Sequence, residues 1–224
     1  VTPTAVKICG ITTVEDGCQA AVLGAAAIGF VFWPESPRCI SVDRARAITR
    51  ELPPFVATVG VFVNHPPREV LEVAASVPLT AVQFHGDEDD ESLSVLPVRV
   101  IRALSLEAPG AQERLARLPH TITVLLDAHD PHIRGGTGRT TEWEQAAPVA
   151  ASRRILLAGG LRAENVGEAI RVVRPWGIDV SSGVESTPGR KDLARLRALF
   201  AAVHAADIDD CSPRRTTRQV RDEG

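Results

Sequence analysis

Ile155-Leu156-Leu157-Ala158-Gly159-Gly160-Leu161 leads through a helical stretch into Ile178-Asp179-Val180-Ser181-Ser182-Gly183-Val184-Glu185. Between the two apolar runs, residues 164–173 set Val166, Ile170 and Val173 on one helical face, the spacing needed to cover a sheet. Two short strands joined by a covering helix make a parallel βαβ unit, and both strands here end in glycine. The rest of the chain repeats the pattern. Working back toward the N-terminus, β-branched or apolar runs at 5–9, 27–32, 56–63, 80–84, 98–104 and 122–127 join those at 154–158 and 178–181, eight strand candidates separated by helical stretches. Eight such units without a second domain favour a single closed (β/α)8 TIM barrel over the alternative, an open doubly wound sheet.

The length agrees, since 224 residues suit one barrel domain of about 200 to 250 residues. The expected barrel spans residues 1–206. Its last helix, 190–204, carries Leu193, Leu196, Leu199, Phe200 and Val203 at helical spacing. Residues 207–224 are polar, with Arg214, Arg215, Arg218 and Arg221 and few apolar anchors, and are expected to form a disordered tail. The acidic run Asp87 to Glu91 opens a helix, where the helix dipole favours negative charge, and no chemistry is assigned to it.

Composition narrows the function classes. A hydrophobic fraction of 44%, a charged fraction of 24% and a net charge of -3 describe a globular domain with no global electrostatic reason to bind nucleic acid or a membrane. The longest apolar stretch, Ala20 to Trp33, is about 14 residues, too short to span a bilayer. The N-terminus has no charged-then-apolar leader pattern, so a cytoplasmic address is expected. Cys9, Cys18, Cys39 and Cys211 show no paired spacing, which suggests neither disulfides nor zinc. The expected partner is a small molecule.

In such barrels the chemistry sits at the C-terminal ends of the strands. Cys9 ends the first strand just before Gly10, where the thiol can face the mouth and act as a base if a cation, such as Lys7 two residues earlier, helps populate the thiolate. Read alone, a cysteine at this place is more simply a small buried hydrophobe. Asp127 ends the apolar run Val124-Leu125-Leu126, and a carboxyl there is suited to general acid work, or to capping the next turn. The segment 128–140, with Gly135-Gly136-Thr137-Gly138, has the length and composition of a lid. Asp127, His129, Asp130 and His132 lie close in sequence, but no regular helix would gather them on one face, and no metal site is expected. The glycine turns at Gly159-Gly160 and Ser182-Gly183 follow strands seven and eight, the usual phosphate position, and their exposed amides can cradle a dianion. A phosphorylated substrate is expected.

Taken together these pieces resemble the phosphoribosylanthranilate isomerase family over nearly the whole chain to about residue 204. The matching stretches are Lys7-Ile8-Cys9-Gly10-Ile11-Thr12, Gly29-Phe30-Val31-Phe32, Ser36-Pro37-Arg38, Val61-Phe62-Val63-Asn64, Gln83-Phe84-His85-Gly86 and Leu126-Asp127-Ala128. They continue through Gly135 to Gly138, Ala158 to Leu161, Asn165-Val166, Asp179 to Glu185 and Pro188 to Asp192. Two departures are local: Phe84 stands where the family more often has Leu, and Thr141 replaces a common aromatic.

The resemblance implies an Amadori rearrangement of N-(5-phosphoribosyl)anthranilate in tryptophan biosynthesis, without a cofactor, in a monomer or homodimer. It implies Asp127 as general acid at the ring oxygen, Cys9 as general base at C2, and Arg38 as the group that holds the anthranilate carboxylate, with phosphate at Gly159, Gly160, Ser182 and Gly183. The rivals are the analogous isomerase of histidine biosynthesis, an enzyme performing both reactions, and a catalytically silent phosphosugar-binding barrel. Cys9 disfavours the first, which resembles a barrel with an aspartate at that position. The conjunction of Cys9, Asp127 and Arg38 disfavours the last.

Overall fold

The computed structural model describes residues 3–127 and 142–211. The first half runs β1 (Ala5–Ile8), α1 (Val14–Val22), β2 (Ala27–Val31), α2 (Val42–Glu51), β3 (Ala57–Phe62), α3 (Pro67–Ser76), β4 (Ala81–Phe84) and α4 (Asp90–Ser94). The second runs β5 (Arg99–Leu104), α5 (Ala111–Arg117), β6 (Thr123–Asp127), α6 (Glu142–Ser152), β7 (Ile155–Ala158), α7 (Val166–Val173), β8 (Gly177–Val180), β9 (Glu185–Thr187), β10 (Arg190–Lys191) and α8 (Leu193–Cys211). Strands β1 to β8 pair in parallel in sequence order, and β1 pairs with β8 through Val6↔Ile178 and Ile8↔Val180. That last ladder closes the barrel and rules out the open sheet. All eight expected strands are present, with ends displaced by a residue or two, as fraying boundaries allow.

Local sequence fixes the helix starts. Thr13 and Ser41 accept from the amides of Asp16 and Arg44 at the heads of α1 and α2. Helix α7 buries Val166, Ala169, Ile170 and Val173, the face expected from the sequence. The apolar layer between strands and helices holds Phe30, Phe62, Phe84, Leu126 and Trp143, each contributing about 1.5–3 kcal/mol through burial. Inside the barrel, Val59, Ala81, Ile101, Leu125 and Leu156 form a second packed layer beneath the mouth.

Three expectations are corrected. Arg190 and Lys191 are not helical; they pair antiparallel with β9 around Gly189, whose φ of 80° suits glycine, and α8 begins only after Asp192 accepts from the Arg195 amide at 3.0 Å. The helix then continues past the expected tail boundary at 207 to Cys211, and Asp207 accepts from the Thr4 amide and hydroxyl at 3.0 and 2.6 Å. The arginines of the tail lie outside the described residues. Third, the acidic run does more than face a helix dipole. Asp89 caps α4, but Glu88 and Asp90 pair with the fully buried Arg102 at 2.7 and 3.0 Å, and Arg114 also holds Asp90. Among the described residues no helix is long and apolar enough to cross a membrane.

Candidate active site

Alternate residues of a strand share a face, so Lys7 and Cys9 project together. The neighbouring Gly29 shows that the shared face is the barrel interior: a Cβ there would lie 3.0 Å from Cys9 Sγ and 3.1 Å from Lys7 Nζ. Lys7 is buried, and its ammonium donates at 2.8 Å to Asp179, its register partner on β8. A buried ion pair is costly to desolvate, so its place directly beneath Cys9 is notable for chemistry more than for stability. Burial pushes the Cys9 thiol above its usual range, opposed by the positive charges of Lys7 and Lys191. The cation expected from the sequence is therefore present beside the thiol, where it favours the thiolate against the effect of burial.

Asp127 closes β6 on the same inward row as Leu125 and remains one-third exposed. Strands β7 and β8 separate it from β1, so Asp127 and Cys9 approach the mouth from well-separated sides. His85, inward with Gln83 on the row from β4, places Nε2 3.8 Å from Asp127 Oδ2, while the Gln83 amide lies 3.5 Å from His85 Nδ1.

Arg38 enters from the loop after β2 and lies across Gly10, where an added Cβ would meet its Cδ at 2.6 Å and Ser181 Oγ at 3.1 Å. With φ of 74° at Gly10, the turn after Cys9 both requires glycine and makes room for the arginine. The guanidinium is already forked. Nε and Nη2 donate to Glu185 at 2.9 and 2.7 Å, and Lys191 donates to the same carboxylate at 2.9 Å. Burial alone would raise the Glu185 carboxyl, but Arg38 and Lys191 hold it below the usual carboxylate range. Lys191 also donates to the Cys9 carbonyl at 2.6 Å and the Ser181 carbonyl at 3.1 Å, tying together the ends of β1 and β8.

Two turns complete the mouth. After β7, Gly159 and Gly160 take φ of 99° and 61°, and Asn165 braces the turn by accepting from the Arg162 amide at 2.8 Å and donating to the Gly160 carbonyl at 3.1 Å. After β8, Ser182–Val184 form a 3-10 turn. The turns touch: a Cβ on Gly183 would fall 1.9 Å from the Leu161 carbonyl oxygen, so only glycine permits this approach. The turns after β7 and β8 are thus in direct contact at the mouth.

Residues 6–202 match the model of the family described as N-(5'-phosphoribosyl)anthranilate (PRA) isomerase. The chain belongs to that family. The N-(5'-phosphoribosyl)anthranilate isomerase of Pelobacter propionicus is 46% identical over 195 residues, covering 87% of this chain and 93% of that protein. Among solved structures, the phosphoribosyl anthranilate isomerase of Thermotoga maritima superposes with a TM-score of 0.81 at 44% identity, covering 90% of this chain and 99% of the other. A phosphoribosyl anthranilate isomerase in complex with reduced 1-(o-carboxyphenylamino)-1-deoxyribulose 5-phosphate superposes at 0.80 with 42% identity, again covering 90% and 99%.

Membership in the phosphoribosylanthranilate isomerase family makes the chain an isomerase of tryptophan biosynthesis. Cys9, Asp127, Arg38 and the turns at Gly159-Gly160 and Ser182-Gly183 all reach the C-terminal mouth of the barrel. Residues 128–140, expected to form a lid, with His129, Asp130 and His132, and the departure at Thr141 lie outside the described residues. The sequence reading gave no role to His85, Asp179, Glu185 or Lys191. For His85 a signal existed, since Gln83 and His85 alternate on an otherwise apolar strand and so point inward. Glu185 and Lys191 carried none, because the groups that tie them to the mouth, Arg38 and the Cys9 carbonyl, are distant in sequence.

Proposed function

We propose that this chain converts N-(5-phosphoribosyl)anthranilate to 1-(2-carboxyphenylamino)-1-deoxyribulose 5-phosphate by an Amadori rearrangement. The observation that carries the reading is the approach of Asp127 and Cys9 to one mouth from separate strands, with Arg38 beside Cys9. Asp127 gives its proton to the furanose ring oxygen as the C1–O bond breaks and the nitrogen lone pair forms a Schiff base. Cys9, acting as the thiolate that Lys7 and Lys191 favour, then takes the C2 proton, and the released pair makes the C1=C2 bond of an enolamine while neutralising the nitrogen. Protonation at C1 and loss of the 2-hydroxyl proton give the aminoketose. Oxidation at C2 is balanced by reduction at C1 within one molecule and the acid and base carry the protons, so the reaction needs no redox cofactor.

The family's complex with a reduced aminoketose phosphate supports the same ligand class here. In this reading the phosphate lies on the amides around Gly159, Gly160, Ser182 and Gly183, Arg38 holds the anthranilate carboxylate, and the protein works in the cytoplasm as a monomer or homodimer.

Inorganic phosphate is expected to inhibit competitively, and Gly183→Ala to weaken that inhibition by about tenfold or more, because its methyl would meet the Leu161 carbonyl and force apart the two turns proposed to share the dianion. Inhibition constants with and without the substitution check this. Noncompetitive inhibition, or inhibition unchanged by Gly183→Ala, would move the phosphate elsewhere.

A further inference from the structure

The contact between Arg38 and Glu185 poses a problem for substrate recognition, since the arginine that should meet a ligand carboxylate already holds one. The geometry shows which edge is taken. Glu185 Oε1 and Oε2 face Nε at 2.9 and 3.2 Å, and Oε2 faces Nη2 at 2.7 Å, so the pair occupies the Nε–Nη2 side of the guanidinium. The hydrogen bonds described for Arg38 involve no Nη1, and the group as a whole remains partly exposed while Glu185 is 4% exposed. A guanidinium has a planar fork with two usable edges, so fixing one edge sets the direction of the other.

Glu185 is in turn immobilised. Lys191, with a fully buried side chain, donates to Glu185 Oε1 at 2.9 Å, and the Gly189 amide adds a contact at 3.3 Å. The same ammonium is anchored to the carbonyls of Cys9 and Ser181 at 2.6 and 3.1 Å. Arg195 donates to the Glu185 carbonyl. The β9–β10 hairpin, which brings Lys191 back opposite Glu185, is the element that builds this arrangement. A chain of contacts therefore runs from the backbone of Cys9, through Lys191 and Glu185, to the guanidinium lying over Gly10. The base and the carboxylate-recognition group are referenced to one rigid support.

We propose that Glu185 is a positioning residue for the anthranilate carboxylate: anchored by Lys191, it holds the Nε–Nη2 edge of Arg38 and presents the Nη1 side to the ligand. Substrate recognition then needs no rupture of the Arg38–Glu185 pair. Recognition is end-on through Nη1 and the remaining Nη2 hydrogen, in place of the Nε–Nη2 fork. The inference rests on the reading that Arg38 binds that carboxylate.

Two ligands separate the possibilities: reduced 1-(o-carboxyphenylamino)-1-deoxyribulose 5-phosphate and the same compound lacking the ring carboxylate. Dissociation constants are measured for wild type, Arg38→Ala, Glu185→Gln and Glu185→Asp. Glu185→Gln is expected to weaken the carboxylate-bearing ligand by about five- to thirtyfold, while the carboxylate-free ligand changes by less than about threefold. Glu185→Asp keeps a charge opposite Lys191 but shortens the reach to Arg38, so it should show the same selective loss at smaller size, and it serves if Glu185→Gln fails to fold. In the background of Arg38→Ala, the Glu185 substitution should add little. Equal loss for both ligands would make Glu185 a purely structural residue and overturn the inference. Tighter binding of the carboxylate-bearing ligand by Glu185→Gln would also overturn it, by marking Glu185 as a competitor for Arg38. Failure of Arg38→Ala to discriminate between the ligands would remove the underlying assignment of Arg38, a result distinct from the other two.

Discussion

Cys9→Ala and Asp127→Asn are each expected to lower turnover at least about a hundredfold with the barrel intact, the low end of what a positioned acid or base contributes. The chemistry separates the two losses. Asparagine matches the shape of Asp127 but has no carboxyl proton for the ring oxygen, so the furanose stays closed. Alanine at residue 9 removes the only proposed acceptor of the C2 proton, so the Schiff base persists. Neither change reaches the large apolar layer between strands and helices, since Cys9 belongs to a small separate cluster with Val31, Val61 and Trp33, and Asp127 is partly open to the mouth. Steady-state turnover beside a thermal melt checks both. Near-wild-type turnover in either variant would withdraw that residue's role.

Arg38→Ala is expected to raise KM for the anthranilate substrate by about tenfold to a hundredfold, roughly the 2 kcal/mol that a charge-assisted contact contributes. Arg38→Lys should recover only part of this, because an ammonium cannot hold Glu185 at two points and still present a directed donor to the ligand. Removing the guanidinium leaves Glu185 with Lys191 as its charged partner, so a smaller loss of stability is expected alongside. Unchanged KM in Arg38→Ala would reassign carboxylate recognition to another residue of the mouth.

The parts of this molecule that were legible in the sequence are those governed by local rules. Apolar runs gave the eight strands, the spacing of Val166, Ile170 and Val173 gave the buried face of α7, and glycines marked the turns after β7 and β8. Strand-end position alone brought Cys9 and Asp127 to the mouth. What escaped was set by partners far along the chain. Arg38 and Glu185 are 147 residues apart, and Lys7 and Asp179 172 apart, so no periodicity links them. Arg102 and Arg114 turned a run of acids into an internal ion-pair network for the same reason. The misreading of Arg190 and Lys191 as helix had a local cause. The apolar pattern of α8 runs smoothly into them, and only the turn at Gly189 and the cap at Asp192 set the true start.

The most direct test of the central claim is to follow purified protein with N-(5-phosphoribosyl)anthranilate, beside the related aminoaldose of histidine biosynthesis, and to identify the products. The anthranilate compound is expected to become the 1-deoxyribulose aminoketose without added cofactor, with a strong preference over the histidine-pathway substrate. No conversion of the anthranilate compound by folded wild-type protein, or faster conversion of the histidine-pathway substrate, would contradict it.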